Sequence, residues 1–362
     1  MNRSTADRVG GHYKFYKVTI LIQSSILRLA ASACLAGFAT TAIAQEKPIT
    51  LKVSHFLPAT QTVWTEGGKK FIDDVSAKTN GRVKFEVYPA GQLGSDFLSI
   101  IKSGLADIVM LVPSYQPDKF PLTSVAELPG MFSTACEGVA KLAQIAQDGG
   151  VLDEKEFRPN GYKVLFVNTL PQYKLISTSK EIKTLQDVAG LKVRANGVAM
   201  DKAVRAIGAV PVKVPAQEMY DAMSRGTVDA GLFAYTGLKP SRLDTLVRYS
   251  LDGLQLGGPT NLIAMNLRAW NALSANVKVV MTEVSKTTQE HQCRFQDREE
   301  ADLREEFKKQ GNVKVVQLTR EQTGPWEERV RSVTAEWSKE LDRSGKPGSA
   351  VLKAFQQAGR AK

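Results

Sequence analysis

The strongest constraint on this chain is the strand–helix alternation of Leu191–Phe233. A strand (Leu191–Arg194), a helix (Val198–Ile207), a strand (Val210–Val214), a helix (Gln217–Arg225) and a strand (Val228–Phe233) follow on short connections, the pattern of an α/β unit. Arg194 closes the first strand at the mouth of the next loop. Strand ends in open α/β sheets border the crevice where ligands bind, so a permanently charged fork of donors there suits a carboxylate or phosphate. The alternative is an ordinary solvated arginine.

Residues 1–44 read as an export leader. Arg3, Arg8, Lys14, Lys17 and Arg28 give it a basic character, Leu29–Ala39 is a small-apolar run, and Ala42-Ile43-Ala44 fits the small-x-small cleavage pattern before Gln45. A retained anchor over Ile20–Ala44 is disfavoured by Gln23 and Arg28, and a lipid attached at Cys34 by the missing leucine three residues earlier. The charged stretch before Lys17 is long for a leader, so the start of translation is expected further along, which mapping it tests. The mature protein is then periplasmic. After the leader, 43 basic and 36 acidic residues remain, a net charge of +7. That excess draws in acidic small ligands or anionic surfaces, but no Lys/Arg run is dense enough for nucleic acid. Cys136 and Cys293, the two mature cysteines, either pair in an oxidising compartment or stay as separate buried thiols; nothing in the sequence brings them together.

The full length of 362 residues, 43% hydrophobic and 23% charged, is enough for two to three globular domains. A strand at Ile49–His55, a helix at Val63–Thr79, a strand at Val83–Tyr88, a helix opened by Tyr88–Asp96 and running to Gly104, and a strand at Ala106–Val112 make a β-α-β-α-β opening. Pro113–Phe132 holds four prolines, which forbid a continuous helix, and is placed to wall a pocket with Tyr115 and Phe120. A helix (Cys136–Asp148) and a strand (Lys163–Val167) follow. The pattern restarts at Thr169 and crosses back around Gly257–Met265, so two extended crossings make a hinge between two lobes. Trp270–Lys309, free of Pro and Gly, reads as one long helix whose charged second half is mostly a solvated face. A strand (Val313–Leu318) and an amphipathic helix (Gln322–Arg343) complete the reading.

Catalytic signatures are missing. The mature histidines are His55 and His291, and there is no HExxH, CxxC, GxSxG, P-loop or GxGxxG. No enzyme activity, cofactor or metal is expected.

With these elements placed, the chain resembles the DctP-like substrate-binding proteins of tripartite ATP-independent periplasmic (TRAP) transporters. The resemblance rests on YPAGQLGS (Tyr88–Ser95), KSGLADI (Lys102–Ile108), FPLTSVAELP (Phe120–Pro129), TLQDVAGLKVRANG (Thr184–Gly197) and GAVPVKVPAQEMYDAMSRGTVDAG (Gly208–Gly231), in order and spacing. It implies an α/β, bilobal periplasmic-binding-protein-like fold: two α/β lobes joined by hinge strands, with a long helix spanning both. The lobes are expected at residues 45–170 plus 260–299 and at 171–259 plus 300–362. The resemblance also implies a monomer that captures a small organic acid, clamps its carboxylate with Arg194 and hands it to TRAP membrane subunits. A sensory receptor that presents the acid to a signalling partner is the alternative, told apart by neighbouring genes.

Departures from the sugar-acid binders of that family point to the ligand. A second arginine falls on Lys174, a polar asparagine on Phe233 and a glutamate on Val112, so sugar hydroxyls would be buried unpaired at about 1–3 kcal/mol each. The expected ligand is a monocarboxylate with an apolar or aromatic body, or a small keto acid. Further pocket candidates are His55, Trp64, Gln92, Tyr115, Gln172, Tyr173 and Tyr235, with His55 either donating to a second ligand oxygen or capping its loop.

Overall fold

The computed structural model describes residues 47–359; the leader read over residues 1–44 lies outside them. The first half contains β1 (Ile49–Ser54), α1 (Lys70–Lys78), β2 (Val83–Tyr88), α2 (Phe97–Ser103), β3 (Ile108–Leu111), α3 (Ala135–Ala146) and β4 (Tyr162–Thr169). The second contains β5 (Lys174–Ser177), β6 (Lys192–Arg194), α4 (Gly197–Ala206), β7 (Val210–Val212), α5 (Met219–Ser224), β8 (Ala230–Phe233) and β9 (Tyr249–Asp252). The chain closes with β10 (Thr260–Asn266), α6 (Leu267–Ala272), α7 (Ala275–Gln310), β11 (Lys314–Gln317), α8 (Arg320–Arg343) and α9 (Gly348–Gln357). Local chemistry sets the boundaries: Asp96 accepts the Ser99 N–H at 3.2 Å to start α2, and Gly104 at φ 78° ends it.

Two sheets result, ordered β2-β1-β3-β10-β4 and β11-β9-β5-β8-β6-β7. Each is parallel where α/β units build it, but β10 runs antiparallel between β3 and β4, and β5 antiparallel between β9 and β8. These antiparallel strands adjoin the two crossings between sheets, Leu170–Tyr173 and Gly253–Pro259. Every residue of β4 and β10 is buried, as expected of strands covered on both faces.

The expected single helix over Trp270–Lys309 is two. Ser274 accepts the Val277 N–H at 3.4 Å and starts a new helix, so a segment free of Pro and Gly is still broken by a capping side chain. The resulting α7, 36 residues and about 54 Å long, packs on α1, α3 and β4 of the first lobe and on β11 and the Tyr235–Leu238 turn of the second. Its charged half is not simply solvated. Asp297 accepts the Ala135 and Cys136 N–H groups at 2.7 and 3.1 Å, satisfying the open amino end of α3. Glu300 is buried and accepts the N–H groups of Tyr235 and Thr236 at 3.1 and 3.0 Å. The C-terminal helices, of which α9 has no counterpart in the sequence reading, bridge the lobes: α8 packs on α4 and α9 on α3.

Cys136 and Cys293 form a disulfide that ties α3 to α7 across 157 residues of chain. Asp297 lies one turn beyond Cys293 and holds the same helix end, so covalent and polar ties reinforce one another. Closing so long a loop is worth about 5 kcal/mol in the chain-entropy description. Replacing both cysteines with serine should therefore lower the denaturation midpoint by an amount equivalent to roughly 2–5 kcal/mol. Thiol titration of the wild type should find no free thiol in the mature protein; two titrating thiols would contradict the pairing.

Candidate ligand-binding site

Parallel β6, β7 and β8 bring their carboxyl ends to one edge of the second sheet, and Arg194 is the last residue of β6. Its side chain is 2% exposed. Nε donates to the Val214 carbonyl at 2.9 Å and Nη1 to the Leu232 carbonyl at 3.0 Å, which fixes the plane of the guanidinium. The remaining N–H groups, beside the Tyr173 hydroxyl, are in position for a planar acceptor. The rings of Phe233 and Tyr173 sit 5.4 and 5.9 Å from the guanidinium carbon and shield it from water.

Three basic side chains are buried in the described residues: Lys163, Lys174 and Arg194. Lys163 pairs with Asp148 at 2.5 Å and Lys174 with Glu300 at 2.6 Å. Among the described residues no carboxylate pairs with Arg194. A buried cation without a counter-charge is costly, so this position has a strong preference for an anion. Arg194 borders a cavity of about 80 Å³ between the lobes, room for roughly three waters at their liquid volume and hence for a small acid. The walls are mainly apolar: Phe56, Leu57, Val63, Leu170 and Met200 join Tyr173 and Phe233, and Arg194 is the one cationic group on the lining.

Of the residues singled out from sequence, Arg194, Tyr173, Phe233 and Tyr115 meet at this cavity, together with Val112. The others do not line it. Lys174 is turned away into its ion pair with Glu300, with its ammonium 5.2 Å over the Tyr235 ring. Tyr235 is buried in the second lobe, its hydroxyl 2.9 Å from the Ser250 hydroxyl. Gln172 clips the two crossings together: its amide donates to the Phe132 carbonyl at 3.0 Å and accepts the Gly257 N–H at 3.1 Å. His55 stacks on Trp64 at a centroid distance of 3.7 Å, fully buried behind Phe56 and Leu57. Burial pushes the His55 pKa down to about 4, against a weaker upward pull from the Leu57 backbone, so the ring is neutral and packs as an aromatic. Gln92 is exposed on its loop.

Several residues around the cavity had no sequence motif to mark them. Ser114, Asn196 and Asn261 line it, and the Asn196 amide donates to the same Val214 carbonyl as Arg194, at 2.7 Å. Behind Ser114 lies Glu127, fully buried, whose carboxyl accepts the Thr260 N–H at 3.2 Å where the chain returns to the first sheet. Its other oxygen faces Gly197 at the start of α4. A Cβ on Gly197 would stand 2.7 Å from the Ser114 Cβ and 3.2 Å from that oxygen, and the residue has φ +80°, so both space and backbone require glycine. Burial pushes the Glu127 pKa up to about 8, and the Thr260 N–H and Ser114 hydroxyl offset only part of that. The signal for Asn196 was its place two residues beyond Arg194; Glu127 and Asn261 become visible only when the lobes are assembled.

The fold that carries this cavity is matched by known proteins. The model of the DctP family, described as bacterial extracellular solute-binding protein, family 7, matches residues 53–340. The chain belongs to the DctP family. Among relatives of this DctP-family protein, the C4-dicarboxylate-binding periplasmic protein DctP of Rhodobacter capsulatus is 25% identical over 92% of this chain and 99% of its own length. A TRAP solute-binding protein from Rhodoferax ferrireducens, solved with copurified benzoate, superposes with a TM-score of 0.77 at 25% identity, covering 85% of this chain and 96% of that one. A TRAP periplasmic solute-binding protein from Bordetella bronchiseptica, solved with (R)- and (S)-mandelate, gives 0.76 at 24% identity over 86% and 98%. The bilobal fold is thus shared along about 85% of the chain.

Two outcomes follow for this DctP-family site. Lys174→Met leaves Glu300 buried without its cation and should cost roughly 3–5 kcal/mol of stability in denaturant titrations, while the folded fraction keeps its ligand affinity. An affinity loss of 100-fold would instead place Lys174 on the ligand. Glu127 titrates near 4.5 when unfolded and near 8 when folded. The stability its neutral form contributes is full below about 4.5 and is lost as pH rises through about 8. The stability of Glu127→Gln relative to the wild type should therefore improve steadily from about pH 5 to about pH 9; a pH-independent difference would contradict the burial of an uncharged carboxyl.

Proposed function

We propose that this protein is a periplasmic receptor that holds the carboxylate of a small monocarboxylic acid on Arg194, with the apolar body of the acid against Phe233, Tyr173 and Met200, and delivers it to TRAP membrane subunits. The observation that carries the reading is the buried guanidinium, oriented by two backbone carbonyls, with no protein carboxylate to neutralise it. A bidentate carboxylate supplies the missing charge in the plane the carbonyls define. The small cavity and apolar walls favour an aromatic or short-chain acid, in keeping with the benzoate and mandelate held by the two similar solved proteins. A second carboxylate meets no second cation on the described lining: Lys174, the alternative cation in the sequence, is occupied by Glu300. The ligand is therefore a monocarboxylate, unlike the C4-dicarboxylates named for the Rhodobacter capsulatus relative.

Closure of the lobes around the acid removes water from the ion pair and strengthens it, so binding shifts the open–closed balance toward the closed form. Export places the receptor where such acids arrive.

Thermal-shift and calorimetric titrations with benzoate, mandelate, pyruvate, succinate and a sugar acid test the reading. Aromatic or short monocarboxylates should stabilise the wild type, and Arg194→Ala should weaken the best of them at least about 100-fold, the loss of two charge-assisted hydrogen bonds at roughly 1.5–3 kcal/mol each. Undiminished binding by Arg194→Ala would remove the clamp, and preference for succinate or the sugar acid would remove the monocarboxylate assignment.

A further inference from the structure

A second apolar cavity, of about 320 Å³, lies beside the Arg194 cavity, between Phe97, Met110 and Phe120 of the first lobe and Pro215, Gln217 and Glu218 of the second. The two share three lining residues, Phe56, Val112 and Tyr115. Of these, Tyr115 is tied across the gap: its hydroxyl accepts the Ala216 N–H of the second lobe at 3.1 Å. Its side chain is thus a crossbar from the first lobe to the second, on a wall common to both cavities.

We propose that Tyr115 is a specificity-determining residue that sets the length of acid the site accepts, by partitioning the inner cavity at Arg194 from the outer apolar cavity. This rests on the assignment of Arg194 as the carboxylate clamp. An acid anchored at Arg194 fills the inner cavity with about one ring or a short chain; a longer body has to pass the plane of Tyr115. Beyond that plane the first-lobe walls are Phe97, Met110 and Phe120, which suit a hydrocarbon segment, and the charged group on the facing wall, Glu218, disfavours a second carboxylate there. The crossbar is held lightly. The Tyr115 side chain is half-buried, carries one hydrogen bond and ends the short 3-10 turn Pro113–Tyr115, outside the packed cores of both lobes, so its removal leaves those cores in place. The outer cavity then becomes the continuation of the inner one.

The test compares benzoate with 4-phenylbutyrate, an acid longer by three methylenes, by calorimetry on the mature wild type and on Tyr115→Ala, Tyr115→Phe and Arg194→Ala. The wild type should favour benzoate by at least tenfold. Tyr115→Ala should shift the ratio of the two affinities at least tenfold toward 4-phenylbutyrate. Tyr115→Phe, which keeps the ring and loses the bond to Ala216, should keep the wild-type ratio. Tyr115→Leu, with a side chain shorter than the ring but still apolar, gives the same readout if the alanine variant folds poorly. An unchanged ratio in Tyr115→Ala or Tyr115→Leu, with benzoate binding that depends on Arg194, overturns the partition and leaves the clamp standing. Benzoate binding that persists in Arg194→Ala, or no binding of either acid by the wild type, overturns the clamp and the partition with it.

Discussion

Everything about the site depends on two backbone carbonyls. Val214 and Leu232 lie 20 and 38 residues beyond Arg194, and their oxygens converge on its guanidinium only because β6, β7 and β8 are aligned in one sheet. A free arginine side chain samples many rotamers, and ordering it on binding opposes affinity. Here that ordering is complete before a ligand arrives. The same carbonyl at Val214 also holds the Asn196 amide, so one main-chain oxygen organises two side chains of the cavity.

Arg194 and Lys174 show two ways in which the fold surrounds a buried cation. Both are buried, both sit beside aromatic rings, and both belong to the second sheet. Glu300 from α7 reaches Lys174 and closes its charge, whereas the surroundings of Arg194 supply dipoles and ring faces. Neutral donors and acceptors orient a charge without cancelling it, which preserves the field that draws in an anion.

The sequence made the architecture legible because its signals are local. Hydrophobic periodicity and turn glycines mark most strands and helices of both lobes within a few residues, though not β5, β9 or α9, and its position at a strand end marks Arg194 as a candidate. What escaped depends on long-range contacts. Lys174 reads as a ligand residue in the sequence because nothing local announces its partner, Glu300, 126 residues away in the charged half of the long helix. Gln172 looked like a pocket residue and is a clip between crossings, and Tyr235 is sealed under the long helix. The pairing of Cys136 with Cys293 and the role of Glu127 are invisible in one dimension for the same reason. The break at Ser274 was a local signal, a capping serine, outweighed by the absence of proline and glycine.

The grip on α7 passes from one lobe to the other with unusual abruptness. Asp297 is bonded to the first lobe, and Glu300, three residues on, to Lys174, Tyr235 and Thr236 of the second. Along the axis these residues are about 4.5 Å apart. Any rotation of one lobe against the other would therefore load less than a turn of continuous helix, where the backbone hydrogen-bond ladder resists twisting. The helix would then act as a short torsion bar, its first-lobe end tied by the disulfide at Cys293. Such an element would give the pair of lobes a mechanical rest position of its own, whatever the chemistry of the cavity.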